Sequence, residues 1–434
     1  MLQLIKMFFG LIIIFLSQLI NAWPHPRQSL PEFELTIDTL YYIHGLEFGS
    51  PPQKIKSQVL LDTGSSDTLV STFAFNPQKS KTFKNSSLVF NGVYGSISEF
   101  ALYKAFDVIT APNGVKTNQT LAITNVNPNL LNDHNVIVGM GYDTTQFIRP
   151  NYPNFISSFK DQNKIKRTLF SINGQVDGGS VLFGGVYTDI YEDVLTKVEL
   201  IPRYKNRKWF QPYLTVSGIK LSDGSVISNQ TCACIIDTGA DLLPFSKPML
   251  GNLFAALNDA SGDYFYVNTT NPDDPNETPF YYFPLDSIKD LSIKLDVQGY
   301  ELDLPVIDVI HGIKIINGKA YGGIAYQEAV IDVQVDAIFL PAKLLTHYYS
   351  VWDYDNHFIY FAKYKNRGKI GCNGRIAVDS GDQLPVATTN VPHASTTYSV
   401  GYQTSLETTV SGADSIINSP KTYAGSNNQS YTTA

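Results

Sequence analysis

The chain has 434 residues, of which 43% are hydrophobic, and carries a formal net charge of −7 with a pI of about 5.5. This length and apolar content are sufficient for two or three units with a large core. A nucleic-acid-binding surface needs clustered positive charge. The sequence has no basic run, so we expect no nucleic-acid partner. An acidic balance fits a soluble protein that works outside the cell at low pH.

Residues 1–22 have the organisation of a secretory signal peptide. Lys6 precedes an apolar stretch from Met7 to Leu16, and the small residue Ala22 closes the segment. A stretch this short predicts cleavage, with an uncleaved signal anchor as the alternative. No later segment approaches the ~20 apolar residues of a membrane span. We therefore expect a secreted protein, extracellular or in the cell wall, with no stable membrane insertion.

The tripeptide Asp-Thr-Gly occurs twice, each time directly after a pair of apolar residues. The first copy is Asp62-Thr63-Gly64 and the second is Asp237-Thr238-Gly239. Average residue usage places a given tripeptide at roughly one position in several thousand. The repetition therefore predicts a shared role, the alternative being two ordinary strand-to-turn corners.

Paired carboxyl groups can perform general acid and base chemistry. Like charges at close range raise one of the two pKa values, so Asp62 and Asp237 would share one proton and titrate as a pair. The ionised member can take a proton from water while the neutral member donates to a peptide carbonyl. We therefore predict these two as catalytic residues, with no metal and no cofactor.

The residues after each aspartate suit the same arrangement. The two glycines permit a tight turn and a close approach of the backbone to a carboxylate. The two threonine hydroxyls can each anchor the opposing loop, since each has one donor and two acceptor sites. Thr63, Gly64, Thr238 and Gly239 are therefore candidate supporting residues.

On these motifs the chain resembles the pepsin-like aspartic proteases, and most of all their secreted fungal branch of yapsins and barrier-type proteases. The resemblance extends from Phe33 to Lys363 and also rests on residues 136–142, 180–186 and 351–355. It implies a mostly β, bilobal fold in which two related β-rich lobes each donate one aspartate to the cleft between them. It also implies that Ser65 supports Asp62 and that Tyr94 lies on a flap that covers the substrate. The resemblance further implies that the protein is a monomer and that its substrates are peptides or proteins.

The chain departs from the family pattern in the supporting residues. Leu69 stands where the family usually has the tryptophan that holds the flap tyrosine, and Ala240 stands where it has Ser or Thr. Pro341-Ala342 replaces Gly-Asp, and residues 23–32 are shorter than a usual pro-segment. Losses around a site commonly weaken it without abolishing it. Two hypotheses follow: a secreted acid endopeptidase, and a peptide-binding or cell-wall glycoprotein of the same fold with little or no catalysis.

Alternating apolar and polar residues, as in 292–297, predict β-strands through most of the chain. In the final 55 residues, by contrast, 19 are Ser or Thr, which is typical of a disordered, O-glycosylated stalk. The stalk has no hydrophobic end that would signal a GPI anchor. The predicted divisions are a signal peptide (1–22), a short N-terminal segment (23–32), an N-terminal lobe (33–199), a C-terminal lobe (200–379) and the tail (380–434).

Three cysteines give an odd count for a secreted chain. Cys232 and Cys234 alternate on a strand, so we favour a disulfide between one of them and Cys372, with three reduced thiols as the alternative. No histidine or cysteine cluster has the short spacing of a metal site. Six Asn-X-Ser/Thr motifs are candidate glycosylation sites: Asn85, Asn118, Asn229, Asn268, Asn276 and Asn428.

Overall fold

The computed structural model describes residues 30–92, 100–125, 135–201, 211–267, 279–327, 337–365 and 374–392. These residues are mostly β, as predicted. The first fourteen strands are β1 (Glu32–Ile37), β2 (Tyr41–Ile43), β3 (Glu47–Phe48), β4 (Gln53–Lys54), β5 (Val59–Asp62), β6 (Thr68–Ser71), β7 (Lys84–Gly92), β8 (Phe100–Thr110), β9 (Lys116–Thr124), β10 (Val136–Gly139), β11 (Leu169–Gln175), β12 (Gly178–Phe183), β13 (Gly185–Tyr187) and β14 (Leu195–Glu199).

The later strands are β15 (Leu214–Leu221), β16 (Val226–Ser228), β17 (Cys232–Asp237), β18 (Phe265–Val267), β19 (Phe280–Pro284), β20 (Ser292–Val297), β21 (Tyr300–Pro305), β22 (Gly312–Ile316), β23 (Lys319–Ala325), β24 (Ala337–Pro341), β25 (Tyr348–Asp353), β26 (Phe358–Lys363), β27 (Arg375–Ala377) and β28 (Thr388–Asn390). The α-helices are α1 (Phe155–Asp161), α2 (Lys247–Ser261) and α3 (Leu285–Ile288). Short 3₁₀ helices cover Pro77–Lys79, Asp143–Thr145, Val306–Val309 and Ala342–Thr346.

The longest described helix, α2, has a sequence that explains both its buried face and the point at which it ends. Leu250, Leu253 and Leu257 repeat at helical spacing and are buried in the core. The helix ends at Ser261, and the next residue, Gly262, adopts a left-handed conformation with φ of 70°. Glycine adopts this conformation without the steric cost that a β-carbon imposes.

The largest sheet joins strands from both ends of the chain. Its order is β28-β14-β26-β25-β11-β12-β1-β2-β5-β10-β6-β9-β8-β3-β4, with β7 beside β8. A second sheet has the order β21-β20-β15-β17-β24, with β16 beside β15, and a third has the order β18-β19-β23-β22. β13 pairs with β27 in a separate ladder. The β25–β26 hairpin thus lies among N-terminal strands, although the sequence assigned its residues to the C-terminal lobe.

The same local arrangement occurs in two different sheets. β5 lies parallel to β10, with Asp62 opposite Gly139. β17 lies parallel to β24, with Asp237 opposite Pro341. Each aspartate is therefore the last residue of a strand that is held by a parallel neighbour.

The first part of the predicted Ser/Thr-rich tail (380–434) is described and contains a strand that pairs with the fold. β28 pairs in parallel with β14, and the side chains of Leu384 and Val391 are 7% and 8% exposed. Ser/Thr content averaged over the whole tail concealed this short segment with its own apolar residues. Residues 393–434 lie outside the described part of the chain.

Candidate active site

The two Asp-Thr-Gly loops emerge from the core because the apolar residues before them are buried. Leu61 and Ile236 are 0% exposed, and Asp62 is 7% exposed. Asp237 is partly accessible to solvent. The structure brings the two carboxyl groups close together, since a β-carbon built on Gly239 would lie 2.7 Å from Asp62 Oδ1 and 3.2 Å from Asp237 Oδ1.

Thr63 and Thr238 tie the two loops together below the carboxyl groups. The Thr63 Oγ1 hydroxyl donates to Ile236 O at 2.7 Å, and the Thr238 Oγ1 hydroxyl donates to Leu61 O at 2.6 Å. Each hydroxyl also accepts the backbone N–H of the other threonine at 3.0 Å. Because both residues are 0% exposed, these bonds are shielded from competing water and fix one loop relative to the other.

Gly64 and Gly239 make room for the carboxyl group of the opposite loop. A β-carbon on Gly64 would lie 2.6 Å from Asp237 Cγ, and one on Gly239 would lie 2.7 Å from Asp62 Oδ1. Both distances are shorter than van der Waals contact permits, so a side chain at either position would force the carboxyl groups to move. Glycine is required here for close approach.

Hydrogen bonds to the two carboxyl groups are only partly equivalent. The Gly64 N–H donates to Asp62 Oδ1, and the Gly239 N–H donates to Asp237 Oδ1, both at 2.8 Å. The Ser65 hydroxyl donates to Asp62 Oδ2. The residue that follows Gly239 is Ala240, which has no hydroxyl to offer Asp237.

The environment favours the protonated form of Asp237. Burial raises its pKa well above the ordinary value, and the negative charge of Asp62 raises it further. The Gly239 N–H opposes this shift because it stabilises the carboxylate. Asp237 therefore keeps a proton at a pH where an ordinary aspartate is ionised.

In each half a backbone N–H just past the neighbouring parallel strand donates to the residue after the glycine, although the two donors lie at different distances from the residue opposite the aspartate. The Gly141 N–H donates to Ser65 O at 2.7 Å, and the Ala342 N–H donates to Ala240 O at 3.0 Å. Pro341 ends β24, and the 3₁₀ helix begins directly after it. The Pro341-Ala342 departure therefore changes side chains near the site, while one backbone hydrogen bond to the second loop remains.

A buried polar group near the first loop was not apparent from the sequence. Asp67 is 1% exposed and accepts hydrogen bonds from the Tyr152 hydroxyl and the Phe147 N–H, both at 2.6 Å. Leu69, two residues later, is fully buried in an apolar cluster that also contains Tyr152. Tyr94, the predicted flap residue, lies outside the described residues.

A second contact that the sequence did not indicate comes from Gln211. Its side-chain amide nitrogen donates to Gly64 O at 3.0 Å. Its side-chain oxygen accepts the Tyr213 hydroxyl at 2.8 Å. No motif marks Gln211, because this contact joins segments far apart in the chain.

The remaining predicted residues are only partly covered by the structure. Cys232 and Cys234 are fully buried in β17, whereas Cys372 lies outside the described residues, so its pairing stays a prediction. The described residues contain no disulfide bond. Asn85, Asn118 and Asn229 are exposed, and the other three candidate glycosylation sites (Asn268, Asn276 and Asn428) are not described.

Among the described residues, no group of three or more His, Cys, Asp or Glu side chains is placed to hold a metal ion. None of the described helices is long and apolar enough to cross a membrane.

Comparison with known proteins assigns the family. The profile of the family described as eukaryotic aspartyl protease matches residues 41–364, which is most of the chain. The chain therefore belongs to the eukaryotic aspartyl protease family. This confirms the resemblance to pepsin-like proteases, while the narrower fungal branch stays a prediction.

The curated relatives are similar at low identity. The chain is 29% identical over 245 residues to syncephapepsin of Syncephalastrum racemosum, covering 52% of this chain and 58% of that protein. It is 26% identical over 237 residues to pepsin A of Suncus murinus, covering 49% and 56%. It is 23% identical over 344 residues to gastricsin of Macaca fuscata fuscata, covering 74% and 83%. The match thus spans little more than half the length of the first two relatives.

Proposed function

We propose that the protein is an aspartic endopeptidase in which Asp62 and Asp237 share one proton. The observation that carries this proposal is the reciprocal fit of the two loops. Each glycine leaves space for the opposite carboxyl group, and each threonine anchors the opposite strand end. Such a fit brings two like charges into contact, an arrangement that costs free energy unless one of them is protonated.

The proposed reaction needs only the two carboxyl groups and a water molecule. Ionised Asp62 takes a proton from water, and the oxygen of that water attacks the peptide carbonyl carbon. Asp237 donates its proton to the carbonyl oxygen as the tetrahedral intermediate forms. Collapse of the intermediate breaks the C–N bond: Asp62 gives the proton it took from water to the leaving nitrogen, and Asp237 takes a proton back from a hydroxyl of the intermediate. The Ser65 hydroxyl holds Asp62 in position through its hydrogen bond.

The proposal includes secretion, an acidic pH optimum and monomeric action on proteins or peptides. The N-terminal apolar segment supports secretion. The raised pKa of Asp237 supports work at low pH, since Asp237 must be protonated when the reaction starts. An extended peptide would lie between the loops and use backbone hydrogen bonds and side-chain pockets.

A second candidate function is peptide binding with little catalysis. The specific observation in its favour is that Ala240 offers Asp237 no hydroxyl, whereas Ser65 serves Asp62. The Pro341-Ala342 pair beside this loop points the same way. Glycosylated and secreted, such a protein would act as a cell-wall or extracellular binding protein.

Cleavage of a quenched peptide library from about pH 3 to about pH 7, with and without pepstatin, separates the two functions. We expect pepstatin-sensitive cleavage at acidic pH that is lost in an Asp62→Asn variant. Pepstatin binding without cleavage by the wild type would favour the second function. Neither binding nor cleavage by folded protein would overturn both.

A further inference from the structure

The two equivalent glycine carbonyl groups of the site differ in their surroundings. Gly64 and Gly239 occupy matching positions, each facing the opposite aspartate. Gly64 O accepts a hydrogen bond from the Gln211 side chain at 3.0 Å. Within the described part of the chain, no donor reaches Gly239 O. Among the described residues, one of the two related acceptors beside the carboxyl pair is therefore capped and the other is not.

The cap is held in place by the core of the second half of the chain. The Tyr213 hydroxyl donates to the Gln211 side-chain oxygen at 2.8 Å, and the Tyr213 N–H donates to Gln211 O, also at 2.8 Å. Tyr213 is 1% exposed and packs with Ile201 and Ile235. Because Tyr213 holds the Gln211 oxygen, the amide nitrogen of Gln211 points to Gly64.

An extended peptide that lies across the carboxyl pair needs backbone acceptors for its own N–H groups. Gly64 O is such an acceptor beside the carboxyl pair, since Gly64 is two residues from Asp62 and its β-position faces Asp237. We propose that Gln211 is a built-in competitor for the substrate, whose amide occupies Gly64 O until a peptide N–H displaces it. This inference rests on the proposed function, because it assumes that peptides occupy the same cleft.

The exchange has a measurable consequence for affinity. In the proposed exchange the peptide N–H takes the position of the Gln211 amide on Gly64 O, so one hydrogen bond replaces another and the net gain is small. Without the cap the same N–H gains a full hydrogen bond, with a net value of about 0.5–1.5 kcal/mol. Removing the cap should therefore tighten peptide binding roughly three- to tenfold.

The experiment measures pepstatin binding by calorimetry to the full chain and to a Gln211→Met variant. Methionine keeps the length of the side chain but has no N–H to donate. A set of pepstatin analogues, each methylated at one backbone nitrogen, locates the responsible N–H. We expect Gln211→Met to bind pepstatin roughly three- to tenfold more tightly, and we expect this gain to vanish for one analogue only. With a peptide substrate, the gain should appear as a lower KM.

Two further variants distinguish loss of the Gln211 hydrogen bond from a general loss of stability in the protein. Tyr213→Phe removes the hydroxyl that holds Gln211 and should give part of the same gain. Gln53→Ala removes a similar amide-to-carbonyl bond, from Gln53 Nε2 to Asn76 O at 2.9 Å, away from the site, and should leave the Kd unchanged.

The outcomes distinguish this inference from the proposed function. Unchanged or weaker binding in Gln211→Met, or an equal gain for every analogue, overturns the inference. If the wild type still cleaves peptides in an Asp62-dependent manner in that case, the proposed function stands. A wild type that neither cleaves peptides nor binds pepstatin overturns both.

Discussion

Thr63 and Thr238 exchange identical hydrogen bonds: the backbone N–H of each donates to the hydroxyl of the other at 3.0 Å. Each hydroxyl in turn donates to the last apolar residue before the other loop's aspartate. The alignment of the two carboxyl groups therefore depends on two side chains that are fully buried beneath them.

Replacing Thr238 by valine tests this dependence. Thr238→Val leaves the Thr63 N–H and Leu61 O without partners in a buried place, so we expect a loss of about 2–4 kcal/mol in the free energy of unfolding. Peptide cleavage should fall as well. Chemical denaturation and kcat/KM provide the two measurements.

Thr215→Val is the matched control. Thr215 is also 0% exposed, but its hydroxyl has no hydrogen-bond partner among the described residues. Its replacement should be neutral or slightly stabilising. Equal losses in the two variants would contradict the role assigned to Thr238.

A methyl group on Gly64 should separate the carboxyl groups. We expect Gly64→Ala to lower kcat/KM by roughly 10²-fold, because small displacements of reacting groups are costly. Gly218→Ala serves as the control, since a β-carbon there would lie 3.6 Å from Ser228 O, an ordinary contact. Full activity in Gly64→Ala would show that the close approach is not needed.

A hydroxyl at position 240 should shift the pH dependence of cleavage. In Ala240→Ser the new hydroxyl can donate to ionised Asp237 as Ser65 does to Asp62, which lowers the pKa of Asp237. Asp237 would then lose its proton at a lower pH, so the basic limb of the kcat/KM profile should move to lower pH. A profile that moves to higher pH would contradict the assignment of Asp237 as proton donor.

Asp67 should make the folded state more stable in acid. Burial raises the pKa of Asp67 despite hydrogen bonds from Tyr152 and Phe147. The folded state therefore binds this proton more tightly than the unfolded state does. Its contribution to stability is full below the ordinary aspartate pKa and is lost as pH rises through the raised value.

Denaturant unfolding at several pH values checks the sign of this effect. One such proton changes the free energy of unfolding by at most about 1.4 kcal/mol per pH unit. The Asp67→Asn variant should lack this pH dependence. Asp355 provides the opposite case. Although burial opposes it, hydrogen bonds from Lys160 and the Thr168 N–H keep the pKa of Asp355 below its usual range. Asp355→Asn should remove a slope of opposite sign, and an unchanged slope in Asp67→Asn would refute the account.

The site residues that could be predicted from the sequence are those for which the site needs one particular residue type. Close approach of a carboxyl group requires glycine, so the Asp-Thr-Gly motif can be recognised in the sequence at both positions. Alternation along 292–297 predicts β20 because one face of that strand is buried. These patterns are local in the sequence, so they predict structure without any knowledge of which strands pair.

The features that could not be predicted depend on contacts between distant segments. The pairing of β25 with β11 and of β28 with β14 leaves no mark within either strand. The Gln211 contact with Gly64 and the Tyr152 contact with Asp67 likewise involve common residue types in ordinary sequence surroundings. Composition also concealed the folded segment that ends near Val391.

The central claim is that Asp62 and Asp237 act as one unit, and the most direct test compares kcat/KM of Asp62→Asn, Asp237→Asn and the double variant. We predict that each single variant loses nearly all cleavage and that the double variant is no worse, because residues that act together are not additive. Substantial cleavage by either single variant, with the wild-type fold retained, would contradict the claim.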